Sequence, residues 1–483
     1  MAFAIPPRST PGVGGFARQG NNPLEAYWLE NMRIDRDGTY RPRWGAKCLY
    51  TFGGTISNLS RIGGYNARLA VVAGGTLYDI HVETLSPTSL GTGWPTAAMA
   101  STIAVTASGT NVWIACKSPI GGSVGSLYKY DGTTLTAISS PGNGNYVGMH
   151  GYFAVKIYSG VGDNTALRWS DLGDVDTWPV TSAKQPIPEI GTVDAIVPFS
   201  LRESLLFGPG GVATMSGTSA AGMSFAPVIN TPVATPMRHI AKCRDAVYFL
   251  APGPSICRYR HPGVVERIEA PLERLLYNAL GVSHLRAWYD PQKNYYVLWD
   301  STSHVGYEFS IDLQRWVGAY TFATTGVDCV GFAEIDQGAS TLDEDDMPWG
   351  KGFFAAGARL MQHDPSLYVD QASTSPGDED SFVCAIETKP STGIDSSIEK
   401  QCREVAIDGT GSWTVKLKTR SGPDAAWTTT TLGDISAPGK VFPSLANMPV
   451  YRECVIRCEA VSASGLRWRS VAIDEVPVGE PIS

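Results

Sequence analysis

A strand, a tight turn and a second strand recur seven times down this chain, and that recurrence constrains the fold more than any other feature. Leu69-Ala-Val-Val-Ala73 passes through Gly74-Gly75 to Thr76-Leu-Tyr-Asp-Ile80, and Tyr152-Phe-Ala-Val-Lys-Ile-Tyr158 precedes Thr165-Ala-Leu-Arg-Trp169. Ala246-Val-Tyr-Phe-Leu250 leads likewise to Ile256-Cys-Arg-Tyr259. The first strands of the seven pairs start near 69, 112, 152, 204, 246, 294 and 352, in steps of 43, 40, 52, 42, 48 and 58 residues. Periods of roughly 40–50 residues with several strands each mark propeller blades, because one small sheet cannot bury both faces until neighbours stack on it. The pattern points to a radial scaffold rather than to an enzyme fold built around one cleft.

Composition agrees. With 52 Gly and 32 Pro in 483 residues, the chain is rich in the residues that make tight turns between short strands. Long helical periodicity is nearly absent; the one helix candidate is Pro271-Leu-Glu-Arg-Leu-Leu-Tyr-Asn-Ala-Leu280, with Gly281 just past its end. The net charge of −8 speaks against a chain built to grip nucleic acid. That charge is uneven: residues 1–50 hold seven Arg and Lys against four acids, leaving +3 there and −11 elsewhere. A basic entry segment on an acidic body fits docking to an acidic partner or to another copy; a solvated mixed-charge arm fits equally. The nine cysteines follow no framework spacing and read as thiols kept in a reducing cytoplasm. Met1-Ala-Phe-Ala-Ile-Pro-Pro7 lacks the charged and apolar regions of a signal peptide, and no stretch approaches a membrane-spanning length.

These signals divide the chain into three. Residues 1–50 read as an N-terminal arm and first edge strands, with a hairpin turn at Asp37-Gly38. Residues 51–375 carry the propeller of about seven blades, four short antiparallel strands in each. From 381 to 483 the period breaks into alternating strands such as Trp413-Thr-Val-Lys-Leu-Lys-Thr419 and Leu466-Arg-Trp-Arg469, the pattern of a β-sandwich-like domain. The fold class is therefore all-β.

Each catalytic candidate fails on context. Gly121-Gly-Ser-Val-Gly125 matches a nucleophile elbow, but that elbow needs a helix after Ser123, and a strand and turn follow. Trp169-Ser-Asp-Leu-Gly-Asp-Val-Asp-Thr-Trp178 is close to the Asp-box turn of sialidase-like propellers, with the spacing off by two and a single copy; a packing pair of tryptophans on a turn is the plainer reading. Asp343-Glu-Asp-Asp346 lacks the alternation and glycine of a calcium loop. The seven histidines are isolated, and neither a Walker loop nor a dinucleotide fingerprint is present, so no metal and no cofactor are assigned. Arg467 and Arg469 read as snorkelling residues on a sheet surface.

The stretch Leu29-Glu-Asn-Met-Arg-Ile-Asp-Arg-Asp-Gly-Thr-Tyr-Arg-Pro-Arg-Trp-Gly45 resembles the start of tail hub proteins of short-tailed bacteriophages, also called nozzle, tail tubular or packaged-DNA-stabilisation proteins. Three later stretches are similar in the same order: Ala166-Leu-Arg-Trp-Ser-Asp-Leu-Gly-Asp174, then Thr192-Val-Asp-Ala-Ile-Val-Pro198 with its hairpin, then Glu266-Arg-Ile-Glu-Ala-Pro-Leu-Glu-Arg-Leu-Leu276. The resemblance implies a non-enzymatic virion protein made in the host cytoplasm. It implies a six-fold ring below the portal and its adaptor ring that closes the channel, retains packaged DNA and conducts it at ejection. Partners would be further copies of the chain, tail fibres or spikes, a tail needle or tip, and double-stranded DNA passing without sequence-specific binding. An acidic protein suits that passage, since like charge repels phosphates.

Two other readings compete. A receptor-binding or glycan-degrading tail propeller would release sugar, and a cellular propeller hub would have no need of the N-terminal segment. Within that segment, Tyr27, Trp28 and Leu29 beside Arg33, Arg36, Arg41 and Arg43 combine apolar anchors with cations, a mix found at interfaces, and form the candidate oligomer contact. Tyr27 and Trp28 fit a blade core equally well.

Overall fold

The computed structural model describes residues 22–478, apart from segments 62–67, 106–112, 118–124, 230–239, 269–283, 323–328, 336–350 and 389–398 and shorter breaks of one to four residues. The helix candidate at 271–280, Ser123, and the acidic run 343–346 lie outside the described residues.

Seven antiparallel sheets succeed one another along residues 56–364. Blade one runs over 56–92, blade two over 102–144, blade three over 146–184, blade four over 195–229, blade five over 241–268, blade six over 285–320 and blade seven over 329–364. The recurring strands of the sequence are the second and third of each blade. Their apolar runs are continuous because both faces are covered. In strand Ala246–Ala251, Val247 and Phe249 enter the core shared with blade four, while Ala246, Tyr248 and Leu250 enter the core shared with blade six. Strand Tyr295–Asp300 divides its residues in the same way. Seven such inter-blade cores complete the circle, the last uniting Phe353 and Leu360 of blade seven with Ile56, Leu69 and Val71 of blade one. The inner strand Cys329–Ile335 lies against the inner strand Ile56–Arg61, so the ring closes.

Blade seven obtains its outer strand from the other end of the chain. Gly45–Thr51 pairs antiparallel with Arg359–Asp364, from Thr51 opposite Arg359 to Gly45 opposite Asp364. Short strands Asp370–Gln371 and Glu379–Asp380 add to the same sheet.

The C-terminal domain is a β-sandwich-like body organised by one long strand, Lys400–Arg420. Its first half pairs with Arg467–Pro477 and its second half with Glu453–Val461. The register breaks between Ile407 and Gly411, and two glycines let the strand turn from one layer into the other. A Cβ on Gly409 would stand 2.3 Å from the Arg467 carbonyl oxygen, and Gly411 has φ +93°. Trp413, Trp468, Val405, Ile407, Ile456 and Cys458 fill the space between the layers.

Of the expected arm and first edge strands over residues 1–50, the strands are present, but all except Met32–Ile34 pair with distant parts of the chain. From residue 22 onward they are built into both domains. Asn22–Leu24 and Tyr40–Pro42 pair with Arg467–Pro477, Ala26–Glu30 pairs with Val383–Thr388, and Gly45–Thr51 completes blade seven. The first strands are too short and mixed to declare partners more than 300 residues away. All nine cysteines are free and buried. Deleting residues 1–51 is expected to abolish the cooperative melt and the near-UV circular dichroism of the whole protein, because it opens the ring and strips the sandwich. A native-like melt after that deletion would refute closure by the N-terminal strand.

Candidate functional site at the junction of the two domains

The stretch that carries the family resemblance lies where propeller and sandwich meet. Strand Ala26–Glu30 runs between the sandwich strand Val383–Thr388 and the outer strand of blade six, where Glu30 stands opposite Ala319. The approach is close: a Cβ on Gly318 would lie 2.0 Å from the Leu29 carbonyl oxygen. Asn31 follows with φ 53°, a left-handed conformation that Asn tolerates better than most residues. Its side-chain amide donates to Thr321 Oγ1 (3.0 Å) and to the Val383 carbonyl (2.8 Å), and its Oδ1 accepts from the Thr321 N–H (2.8 Å) and from Arg43 Nε (3.1 Å). One side chain thus spans blade six, the sandwich and the N-terminal segment.

Arg43 is 1% exposed. A guanidinium offers five N–H donors in a fixed plane, and here five hydrogen bonds leave it. Nε donates to Asn31 Oδ1 (3.1 Å). Nη1 donates to the Trp44 carbonyl (2.8 Å) and Asp370 Oδ1 (2.9 Å), and Nη2 to the Thr321 carbonyl (2.8 Å) and Asp370 Oδ2 (2.6 Å). Its plane lies 3.9 Å from the Phe382 ring centroid and 5.2 Å from that of Tyr320. Burial opposes the charge, but Asp370 outweighs it and holds the Arg43 pKa above its ordinary value. Asp370 Oδ1 also accepts the Ala46 N–H (3.1 Å), which places the first residues of the closing strand. Gly45 is required there, since a Cβ would stand 2.1 Å from the Val369 carbonyl oxygen.

A second buried polar group lies alongside, between blades six and seven. Lys293 Nζ is 2.7 Å from Glu308 Oε1 and 3.9 Å from Asp290 Oδ2, and His363 Nε2 is 3.7 Å from Asp290 Oδ2. The Tyr320 ring separates the two groups, 5.0 Å from Lys293 Nζ and 5.2 Å from the Arg43 guanidinium. Burial first, then the cations Lys293 and Arg43, push the His363 pKa well below the usual imidazole range. Chemically this junction fixes orientation: the Arg43 charge is paired with Asp370 and all five of its N–H donors are used.

The candidate interface residues separate on this structure. Leu29 belongs to the sandwich core and Arg43 to the buried junction, so neither is an oligomer contact; that expectation is corrected for both, because an apolar–cationic sequence reads the same inside a domain junction as on a surface. Arg41 is half-buried on the strand Tyr40–Pro42, which pairs with the strand of Arg33. Tyr27 and Trp28 lie on Ala26–Glu30, and only their backbone, like that of Arg33, is among the described parts. Arg36 lies outside the described residues. Asn31, Thr321 and Asp370 went unread. The sign available for Asn31 was a turn-forming residue between the short strands that precede and follow it; for Asp370 there was none.

The other motifs resolve simply. Trp169 and Trp178 pack into different inter-blade cores rather than on each other, and each indole N–H meets a carbonyl, of Ala220 (3.0 Å) and Val175 (2.8 Å). Trp468 is fully buried against Tyr40, and Arg469 faces outward to Asp408 (3.3 Å), as a sheet surface with snorkelling arginines requires.

No family model matches the chain, and no curated protein matches it in sequence. Among solved structures it is similar to a catalytically inactive virginiamycin B lyase from Staphylococcus aureus (TM-score 0.44, 9% identity, covering 66% of this chain and 99% of that one). It is similar also to YCF48 from Cyanidioschyzon merolae (0.41, 10%, 67% and 99%) and to BamB from Moraxella catarrhalis (0.38, 9%, 72% and 97%). The likeness is one of β-propeller architecture, and the activities of those proteins stay with them.

Two outcomes follow from this geometry. Asp370→Asn strands the Arg43 charge in a buried site and is expected to cost about 3–5 kcal/mol, whereas the double change Arg43→Met with Asp370→Leu recovers much of that loss. Urea midpoints decide it, and an Asp370→Asn protein with an unchanged midpoint would remove the junction from its central place. The second concerns acid. An unfolded histidine titrates near 6.5, so below that pH the unfolded chain takes up a proton that buried His363 refuses. Stability present at neutral pH should therefore fall as pH drops from about 7 to 5, by up to about 1.4 kcal/mol per unit, and His363→Phe should flatten the curve. His150, lowered by burial, adds to this slope, while Asp194, raised by burial to about 6, opposes it, so the difference between the wild-type and His363→Phe curves isolates His363.

Proposed function

We propose that this protein is a ring-forming hub, or nozzle, of a short phage tail. In this reading six copies close the channel below the portal and adaptor, retain the packaged genome and conduct it at ejection, and the ring carries fibres or spikes. The observation that carries the reading is the junction itself. Asn31 and Arg43–Gly45, within the stretch that resembles tail hub proteins, are the residues that hold propeller and sandwich in one orientation. A subunit that resists the pressure of packaged DNA needs a fixed angle between its domains, and a fully satisfied buried network supplies one.

Charge supports passage without adhesion. On the outer face of the sandwich, Arg457 pairs with Glu30 (2.8 Å), Glu387 (2.8 Å) and Glu459 (2.6 Å). Lys416, Lys418 and Arg420 pair with Glu459, Glu387 and Glu453. Four cations and four acids cancel, and the face offers phosphates no net attraction. No helix among the described residues is long and apolar enough to cross a membrane.

The test is electron microscopy of the purified protein together with particles that lack it. Six-fold rings are expected, and the deficient particles should package DNA and then lose it. Ser123→Ala should leave infectivity unchanged. A protein that stays monomeric at high concentration and releases sugar from host polysaccharide would overturn the hub in favour of a glycan-degrading propeller.

A further inference from the structure

The end of the sandwich farthest from Arg43 gathers exposed apolar side chains. The long strand starts there at Lys400, whose backbone exchanges hydrogen bonds with Tyr451 (2.8 and 3.0 Å), and also ends there at Arg420, whose carbonyl accepts the Arg452 N–H (3.0 Å). Around this bridge stand Trp427 (39% exposed), Phe442 (66%), Val450 (39%) and Val478 (39%). Arg420 lies 4.6 Å beneath the Trp427 ring. Val441 pairs with Val405, which sets Phe442 beside the first residues of the long strand, and the Val478 N–H donates to the Glu399 carbonyl (2.8 Å). These four are among nine large exposed apolar residues described over the whole chain, so nearly half fall at one end of one domain. Such concentration marks a covered surface rather than scattered exposure.

The chain itself indicates the cover. Leu24 pairs with Val471 and Asn22 with Ile473, so the residues before Asn22 leave toward Pro477 and Val478, at this same end. That segment, residues 1–21, carries Phe3, Ile5, Val13 and Phe16 with Arg8 and Arg18 and no acid. On a chain of net charge −8 it is a +2 element facing a body of −10, and so is drawn to any copy of that body. Its reach decides which copy. From Ile473 to Val478 is about 17 Å along a strand, while 21 residues span up to about 70 Å. The chain's own patch would be passed within the first few residues, and Phe3 and Ile5 lie far beyond it. We propose that the apolar end of the sandwich, at Trp427, Phe442, Val450 and Val478, receives the N-terminal segment of the neighbouring copy in a ring. This rests on the hub reading and adds to it the contact that links one subunit to the next.

Thiol cross-linking tests it in the full chain, because the nine native cysteines are buried, and burial raises thiols such as Cys384 and Cys458 to about 12, where maleimides do not find them. Ala4→Cys, between Phe3 and Ile5, is placed in one preparation and Thr428→Cys, beside Trp427, in another. After mixing under assembly conditions, a bis-maleimide should join two chains, and Trp427→Glu in the second preparation should cut the yield about tenfold, as loss of an aromatic anchor does. Removing residues 1–21 should leave the melt unchanged and weaken assembly. If rings form but the mixed preparations do not cross-link, the docking proposal fails and the hub stands. If both cysteines in one chain join only within that chain, the segment covers its own sandwich and the proposal fails likewise. If no rings form at any concentration, the hub reading fails, and cross-linking between chains would still support the contact.

Discussion

The buried pair of Arg43 and Asp370 sits where four distant parts of the chain meet: residues 31, 321, 370 and 382. An ion pair in such a place is not in itself a large source of stability, since desolvating two charges costs about as much as their attraction returns. What it supplies is definition. A guanidinium with five partners and a planar bidentate carboxylate tolerates neither rotation nor sliding of the segments around it. Asn31, with its own amide fully used, extends the same constraint into the sandwich. Two domains whose cores are separate thereby share one polar lattice, and their relative orientation becomes a property of the fold rather than of a linker.

The constraint has a consequence for how the chain folds. Of the five strands described from Asn22 to Thr51, all but Met32–Ile34, which pairs with Tyr40–Pro42, pair with residues several hundred positions later, so these long-range pairings wait until the rest has been synthesised. Blades one to six are local, each closed by hairpins within about 40 residues. Blade seven and the sandwich are the reverse, and loop closure over such lengths slows folding even where it costs little stability. The ring closes last, when Gly45–Thr51 reaches Arg359–Asp364 and Arg43 finds Asp370. An incomplete chain therefore lacks both the closed ring and the complete sandwich.

What could be read in the sequence follows the same division. The second and third strands of the blades announced themselves because burial on both faces writes an unbroken apolar run, as in Val247-Tyr-Phe-Leu-Ala251. Outer strands such as Ser86–Thr92, half or fully exposed, left no comparable trace. The sandwich was legible by alternation in Trp413-Thr-Val-Lys-Leu-Lys418, where one face meets the core and the other carries the lysines of the ion-pair ladder. The junction was the opposite case. Residues 29–45 were recognisable as a motif with first edge strands, but their place at a domain junction was not, because a short strand names its own periodicity and not its partner. Arg43 between Pro42 and Trp44 looked like an interfacial cation, and only Asp370, with no signal of its own, reveals it as buried.

A propeller closed in this way separates rigidity from variation. Each inter-blade core involves two neighbouring sheets and nothing else, so the turns at either rim can change without disturbing closure. The sandwich divides its surface in the same spirit. Its ion-paired face balances four cations with four acids, while its distal end leaves Trp427 and Phe442 exposed at a real cost in solubility if nothing covers them. Fully burying a Val or Phe side chain gains roughly 1.5–3 kcal/mol, so under the proposed docking the two aromatics and two valines of this end, each already partly covered, would bias an encounter between copies without holding it alone, and the repetition of a closed ring would supply the rest. In that reading a contact weak singly and strong collectively would be reversible during assembly and durable once the last copy is in place.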